Sequence, residues 1–193
     1  MTAGTIDAPA AAPLRFVRPS GPLHQSAPLT LRAATVDDAP AIHALLVEHL
    51  AEGHLLPRER REIATHAHRF VVVLEGFNVV ACAELAPLSR VVAEVRSFVV
   101  SRGVRSRGVG RQIVDALLAK AEASGFKQIC AFTHTPGYFV RLGFSIVPHV
   151  WLPEKAAVDC QACPQFRRCG QYAVVRPLTS VAQAITSLEN LHV

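Results

Sequence analysis

The segment VVSRGVRSRGVGR, residues 99–111, constrains this chain more than any other stretch. Two β-branched residues close a run that reads as a strand over residues 92–100. The chain then passes through a loop dense in glycine and arginine into a helix predicted over residues 108–124, with Ile113, Leu117 and Ala121 on its buried face. Glycines let backbone approach a ligand closely, and a helix start offers unpaired N–H groups and the positive end of the helix dipole. Arg102, Arg105, Arg107 and Arg111 lie here, with no acid between Glu94 and Asp115. Cations in a first helical turn oppose the dipole by about 0.3–1 kcal/mol each. A multiply charged phosphate reverses the sign of that penalty, so the segment predicts a diphosphate ligand.

Absences narrow the ligand. Gly103 and Gly108 have the separation of a Walker A loop, but Val109-Gly110 replaces the Gly-Lys-Ser/Thr that nucleotide hydrolysis requires. The dinucleotide fingerprint G-x-G-x-x-G is missing, and no βαβ acid follows.

Around this segment the pattern is that of a mixed α/β domain. Residues 1–28 form a leader rich in Ala and Pro without periodicity, read as mobile; ordered structure starts with the alternating strand at Leu29. Asp37-Asp38 and Pro40 mark a helix start, Ile42, Leu45, Leu46 and Leu50 its buried stripe, and Gly53 its end. A short second helix is expected from Pro57, then strands over residues 69–74 and 79–85, the strand over 92–100, another over 128–133, a helical turn over 138–142, a strand from Phe144 and a last one at residues 172–175. Residues 29–177 make one domain, and residues 178–193 read as a terminal helix.

Within that order, Arg105-x-x-Gly108-x-Gly110 resembles the pyrophosphate-binding signature Q/R-x-x-G-x-G/A of the GNAT superfamily of acyl-CoA N-acyltransferases. Tyr138-Phe139 followed by Gly143-Phe144 resembles the second landmark of that superfamily. The resemblance implies a GNAT-type fold, a central mixed β-sheet flanked by helices, with acetyl-CoA as co-substrate. It places the coenzyme on Phe98, Val99, Val100, Arg105, Ser106, Arg107, Gly108, Val109, Gly110, Arg111, Thr133 and Phe139.

A closer resemblance is to N-acetylglutamate synthases of the short bacterial type. It is carried by Leu55-Leu56-Pro57-Arg58, Ala93-Glu94-Val95-Arg96-Ser97, Leu152-Pro153-Glu154-Lys155 and the D-C-x-x-C-P-x-F stretch from Asp159 to Phe166. It implies acetyl transfer to the α-amine of L-glutamate, the first step of arginine biosynthesis, and a homodimer by analogy. Arg58, Arg96, Ser97 and Arg168 become the acceptor ligands, since a substrate with two carboxylates asks for guanidinium groups. Direct attack in a ternary complex needs an oxyanion site, expected at the backbone of Phe98 and Val99. Glu94 is either the general base or a strand carboxylate paired with Arg96. Phe139 fills the slot where many superfamily members carry a tyrosine acid, and Tyr138 is expected to point elsewhere. The coenzyme thiol leaves without an acid, because its pKa is close to the 8.5 or so of cysteine.

Two rival readings stay open: an acetyltransferase for another amine (another amino acid, a polyamine, a protein N-terminus), and a non-catalytic sensor of acyl-CoA or an amino acid. Cys160, Cys163 and Cys169 carry three readings: part of a zinc site, redox-active thiols, or structural cysteines. Half of the 193 residues are hydrophobic and 18% charged, which excludes a wholly disordered chain. No apolar run approaches the roughly 20 residues of a membrane span. The net charge of +5 comes from arginines spread along the chain without interleaved aromatics, against nucleic-acid binding. No secretory apolar run precedes the five cysteines, so a cytoplasmic location is expected.

Overall fold

The computed structural model describes residues 27–53 and 55–178. Seven strands, β1 (Leu29–Ala33), β2 (Phe70–Glu75), β3 (Asn78–Pro87), β4 (Val92–Val100), β5 (Gln128–Thr133), β6 (Ser145–Val147) and β7 (Tyr172–Pro177), form one sheet. Their order is β1-β2-β3-β4-β5-β7-β6. Neighbours are antiparallel except β4 and β5, which run parallel with Val92 opposite Gln128 and Val95 opposite Ala131. A parallel pair needs a crossover, and α3 (Val109–Ala123) supplies it.

One sheet face is covered by α3 and α4 (Pro136–Val140). Val71, Val73, Ala83, Leu85, Ala93, Val95 and Ile129 meet Ile113, Val114, Leu117 and Ala121 there. Each fully buried aliphatic side chain of that stripe contributes about 1.5–3 kcal/mol. The opposite face packs Val72, Cys82 and Val99 against Ile42, Leu45 and Leu46 of α1 (Ala39–His49) and Ile63 of α2 (Arg60–Thr65). The turn that leads into α1 is fixed by the predicted acid, Asp38 accepting the Thr35 N–H at 2.7 Å, and Pro40 occupies the first turn of the helix.

The second helix begins at Arg60 instead of Pro57, because Glu59 is extended with ψ 136°. A fifth helix, α5 (Pro153–Val158), was not anticipated; its six residues are too few to display a period. The leader at residues 1–28, but for its last two, and the terminal helix at residues 178–193, but for Leu178, lie outside the described residues. No helix among the described residues is long and apolar enough to cross a membrane.

Candidate active site

β4 and β5 stop pairing at Val95 and Ala131, although both strands run on, so the sheet opens between their C-terminal ends. On the other side of β4, Cys82 lies opposite Val99 and Glu84 opposite Arg96, leaving Ser97 and Phe98 together across from Ala83 alone. This is a β-bulge, and Ser97 carries its left-handed backbone at φ 50°. An extra residue inverts the alternation of a strand. Ahead of the bulge Ala93 and Val95 face α3, while beyond it Phe98 and Val100 do, and Val99 falls to the α1 side.

The bulge also decides which amides reach the opening. The Ser101 N–H donates to the Val80 carbonyl of β3 at 2.9 Å, so alternation turns the N–H group of Val100 away from β3. The Cys82 thiol donates to the Ser97 carbonyl at 3.5 Å. The backbone of Phe98 and Val99, where the oxyanion is expected, thus lies at the bulge and lines the opening together with Val100.

A cavity of about 940 Å³ runs through the opening. One end is the start of α3. Gly108 caps the helix with φ 79°, and Ser106 is left-handed at φ 66°. Among the described residues the N–H groups of Ser106, Gly108, Val109, Gly110 and Arg111 have no protein acceptor. Phe98, Val99, Val100, Arg105, Ser106, Gly108, Val109, Gly110, Arg111, Thr133 and Phe139 all line this cavity. Arg107 does not: Glu75 at the end of β2 takes its guanidinium at 2.9 Å.

The loop arginines are not without acids either. Glu52, beyond α1 in sequence, meets Arg105 at 3.0 Å and Arg102 at 3.2 Å and lines the same cavity. The hydrogen bond from Arg105 holds the Glu52 carboxyl below the usual carboxylate range. Tyr138 also lines the cavity, which corrects the expectation that it points elsewhere. Its buried Oη has no hydrogen-bond partner and would sit 2.5 Å from a Cβ on Gly110, so only glycine fits there without a shift. Burial pushes the Tyr138 phenol up.

The other end of the cavity is charged. Glu94 is 3% exposed; Arg96 Nε donates to its Oε2 at 2.5 Å, and Lys155 of α5 donates to both oxygens at 2.7 and 2.9 Å. Asp159 closes the square by accepting from Arg96 and pairing with Lys155 at 3.0 Å. With both oxygens held, Glu94 matches the paired reading and not that of a free base. Arg58 stands just ahead of α2. Its Nη1 donates to Glu84, itself 1% exposed, at 3.0 Å and to Ser97 Oγ at 3.2 Å, and Nη2 meets Glu62 at 2.7 Å. The Arg58 Nε is buried with no partner. Arg168 is exposed and lies outside the cavity lining, a correction that follows from the turn Phe166–Arg168 facing solvent.

Reading the sequence missed Glu52, Lys155 and Asp159 as members of the site. No local signal marks Glu52, whose partners are 50 or more positions away, and Asp159 joins Lys155 four residues before it to Arg96, 63 positions away. Lys155 stood in a segment matched to the family without a role. Among the described residues no group of three or more His, Cys, Asp or Glu is arranged to hold a metal ion.

An open parallel strand pair, a bulge at the opening, and a glycine-started helix with unused N–H groups define an acyl-coenzyme A transferase site. Residues 39–144 match the acetyltransferase (GNAT) family, to which the chain belongs, and acetyl-CoA is its co-substrate. The N-acetyltransferase CT2212 of Chlorobaculum tepidum is 30% identical over 77% of this chain and 96% of its own length. An amino-acid acetyltransferase of Ralstonia nicotianae is 32% identical over 59% of this chain but only 26% of its own. The N-acetylglutamate synthase from Neisseria gonorrhoeae, solved with coenzyme A and N-acetyl-glutamate, superposes with a TM-score of 0.70 at 25% identity, over 80% of this chain and 36% of that one. Rv2747 from Mycobacterium tuberculosis shares the fold with a TM-score of 0.68 at 22% identity, over 77% and 99%. The chain thus spans about a third or less of the two amino-acid-specific relatives.

Proposed function

We propose that this chain transfers the acetyl group of acetyl-CoA to the α-amine of L-glutamate, the first step of arginine biosynthesis. The observation that carries this reading is the Arg58 guanidinium at the acceptor end, held by Glu84, Glu62 and Ser97 yet keeping one buried N–H, on Nε, without an acceptor. A buried donor left unmade costs about 1–3 kcal/mol, and a carboxylate satisfies it. Arg96 and Lys155 line the same wall and are balanced there by Glu94 and Asp159. The likeness to the gonococcal synthase supports the choice of glutamate.

The diphosphate of acetyl-CoA lies on the amides of Ser106 and of Gly108 through Arg111, and its acyl arm passes between β4 and β5. The amine, with a pKa near 8 or above, gives its proton to water in the open cavity, since both Glu94 oxygens are held. It attacks the thioester directly, and juxtaposition of the two substrates supplies most of the advantage. The oxyanion is met by backbone N–H groups of the bulged stretch from Phe98 to Val100; losing one such donor costs about 10²–10³ in rate. The thiolate leaves unassisted, because Phe139 has no hydroxyl and Tyr138 directs its own at Gly110.

Purified protein offered glutamate, glutamine, aspartate, a polyamine and a peptide in parallel, with the acetylated product identified by mass, tests the reading. N-acetylglutamate as the main product is expected. Acetylation of another amine with none of glutamate overturns it, as does coenzyme binding without turnover of any amine.

A further inference from the structure

The cavity wall between α5 and β7 carries three thiols that the transfer reaction does not use. Cys160, Cys163 and Cys169 all line the cavity, and all three are free. Cys160 opens a single 3₁₀ turn, Cys160–Ala162, closed by the Cys163 N–H donating to the Cys160 carbonyl at 3.2 Å. A turn of this kind keeps its end Cα atoms within about 7 Å, and its side chains at i and i+3 eclipse one another. Disulfides span Cα separations of about 4.4–6.8 Å. Cys160 and Cys163 therefore stand within a small adjustment of the turn from the separation that a disulfide spans. Cys169 follows a different turn and has its Sγ 3.9 Å from Gln171 Oε1. The two remaining cysteines provide a contrast: Cys82 and Cys130 are fully buried in the sheet, and burial pushes both thiols up, Cys82 to about 12.

We propose that Cys160 and Cys163 form a dithiol site that reacts with low-molecular-weight disulfides and closes to an intramolecular disulfide in the acceptor wall. One protein thiolate attacks a sulfur of the small disulfide, forming a mixed disulfide and expelling one small thiolate, which takes up a proton. The second protein thiolate attacks the protein sulfur of that mixed bond and expels the other small thiolate. Two protein thiols are oxidised and one small disulfide is reduced to two thiols, with no further reactant. Cys160 directly follows Asp159, the partner of Arg96 and Lys155, so closing the bond moves the charged square at the acceptor end. The start of α3 lies at the other end of the cavity and is left alone. This last consequence rests on the acceptor reading above.

The full chain incubated with glutathione disulfide, alkylated and mapped by mass spectrometry tests the site without reference to any acceptor. A Cys160–Cys163 cross-link is expected, absent from Cys160→Ser and Cys163→Ser, retained in Cys169→Ser, with Cys82 and Cys130 unmodified. A persistent glutathione adduct, a cross-link to Cys169 in its place, or no loss of thiol overturns the proposal. Where glutamate is turned over, the oxidised protein is expected to show a KM for glutamate raised about tenfold, one charge-assisted contact's worth, reversed by reductant. The affinity for coenzyme A, read by calorimetry, stays unchanged. An unchanged KM in cross-linked protein removes the coupling to Asp159. Failure of glutamate as acceptor leaves the mapping result intact, so the two readings fail separately.

Discussion

Glu52 reaches the guanidinium of Arg105 with both carboxylate oxygens, 3.1 and 3.0 Å from Nη2, while Arg105 Nε holds the Val100 carbonyl at 2.9 Å. An anion of the protein thus shares the cavity with the unused amides at the start of α3, and a diphosphate that reaches Arg105 must compete with it. The pair is exposed, so its contribution is screened and small. Glu52→Gln is expected to tighten coenzyme A binding about threefold at low salt, with the gain shrinking as salt rises. Calorimetric titration of both proteins checks this, and weaker binding by the variant contradicts it. Because Glu52 titrates below the usual carboxylate range, the difference is present at neutral pH and fades only as pH falls through that lowered value.

Arg58 has two separable roles. Arg58→Lys keeps a cation beside the 1%-exposed Glu84 but loses the planar fork, so the KM for glutamate should rise about tenfold or more, with the coenzyme affinity unchanged. Arg58→Met removes the partner of Glu84 and leaves only Arg69 at 3.8 Å, which should cost about 3–5 kcal/mol in denaturant unfolding. Equal behaviour of the two variants in both measurements would refute this division.

Gly110 and Tyr138 form a steric pair. A Cβ at Gly110 meets Tyr138 Oη at 2.5 Å and Phe98 Cζ at 3.3 Å. Gly110→Ala should raise the KM for acetyl-CoA several-fold by displacing the phenol into the coenzyme path, about 1 kcal/mol. Tyr138→Phe removes the clashing oxygen and, on the proposed mechanism in which the thiolate leaves unassisted, should keep more than about a tenth of turnover. The double variant should recover part of the Gly110→Ala loss, and a double-mutant cycle reads the coupling. A thousandfold loss in Tyr138→Phe would make the phenol an acid after all.

Arg32 and Asp38 tie β1 to the start of α1 through contacts of 2.7 and 2.8 Å. The hydrogen bond from Arg32 holds the Asp38 carboxyl at about 2, against an unfolded value of about 3.9. A depressed pKa contributes stability that is fully present above the unfolded value and drains away as pH falls through the folded one. With Arg32 39% exposed, screening leaves about 1 kcal/mol of it. Asp38→Asn should be less stable by that amount at about pH 5, with the gap shrinking as pH falls and closing only below about pH 2. Urea titrations at the two pH values measure it, and a constant gap would contradict the assignment.

The sequence by itself determined the parts whose cause is local. Gly108 and Gly110, the β-branched run before them and the apolar stripe of α3 require a strand, a ligand-accessible loop and a helix start wherever the rest of the chain goes. The same holds for the Asp38 and Pro40 start of α1. Tertiary structure alone decided which charges are spoken for. Arg107 goes to Glu75, Arg105 to Glu52, and Arg96 to Glu94 and Asp159, because pairing of these side chains depends on strand register and loop path across tens of residues. It also decided the bulge. Residues 92–100 read as one uninterrupted strand, and nothing in VAEVRSFVV marks Ser97 as left-handed. Pairing with β3, which offers one residue against two, inverts the alternation there, turning Phe98 and Val100 toward α3 and Val99 toward α1.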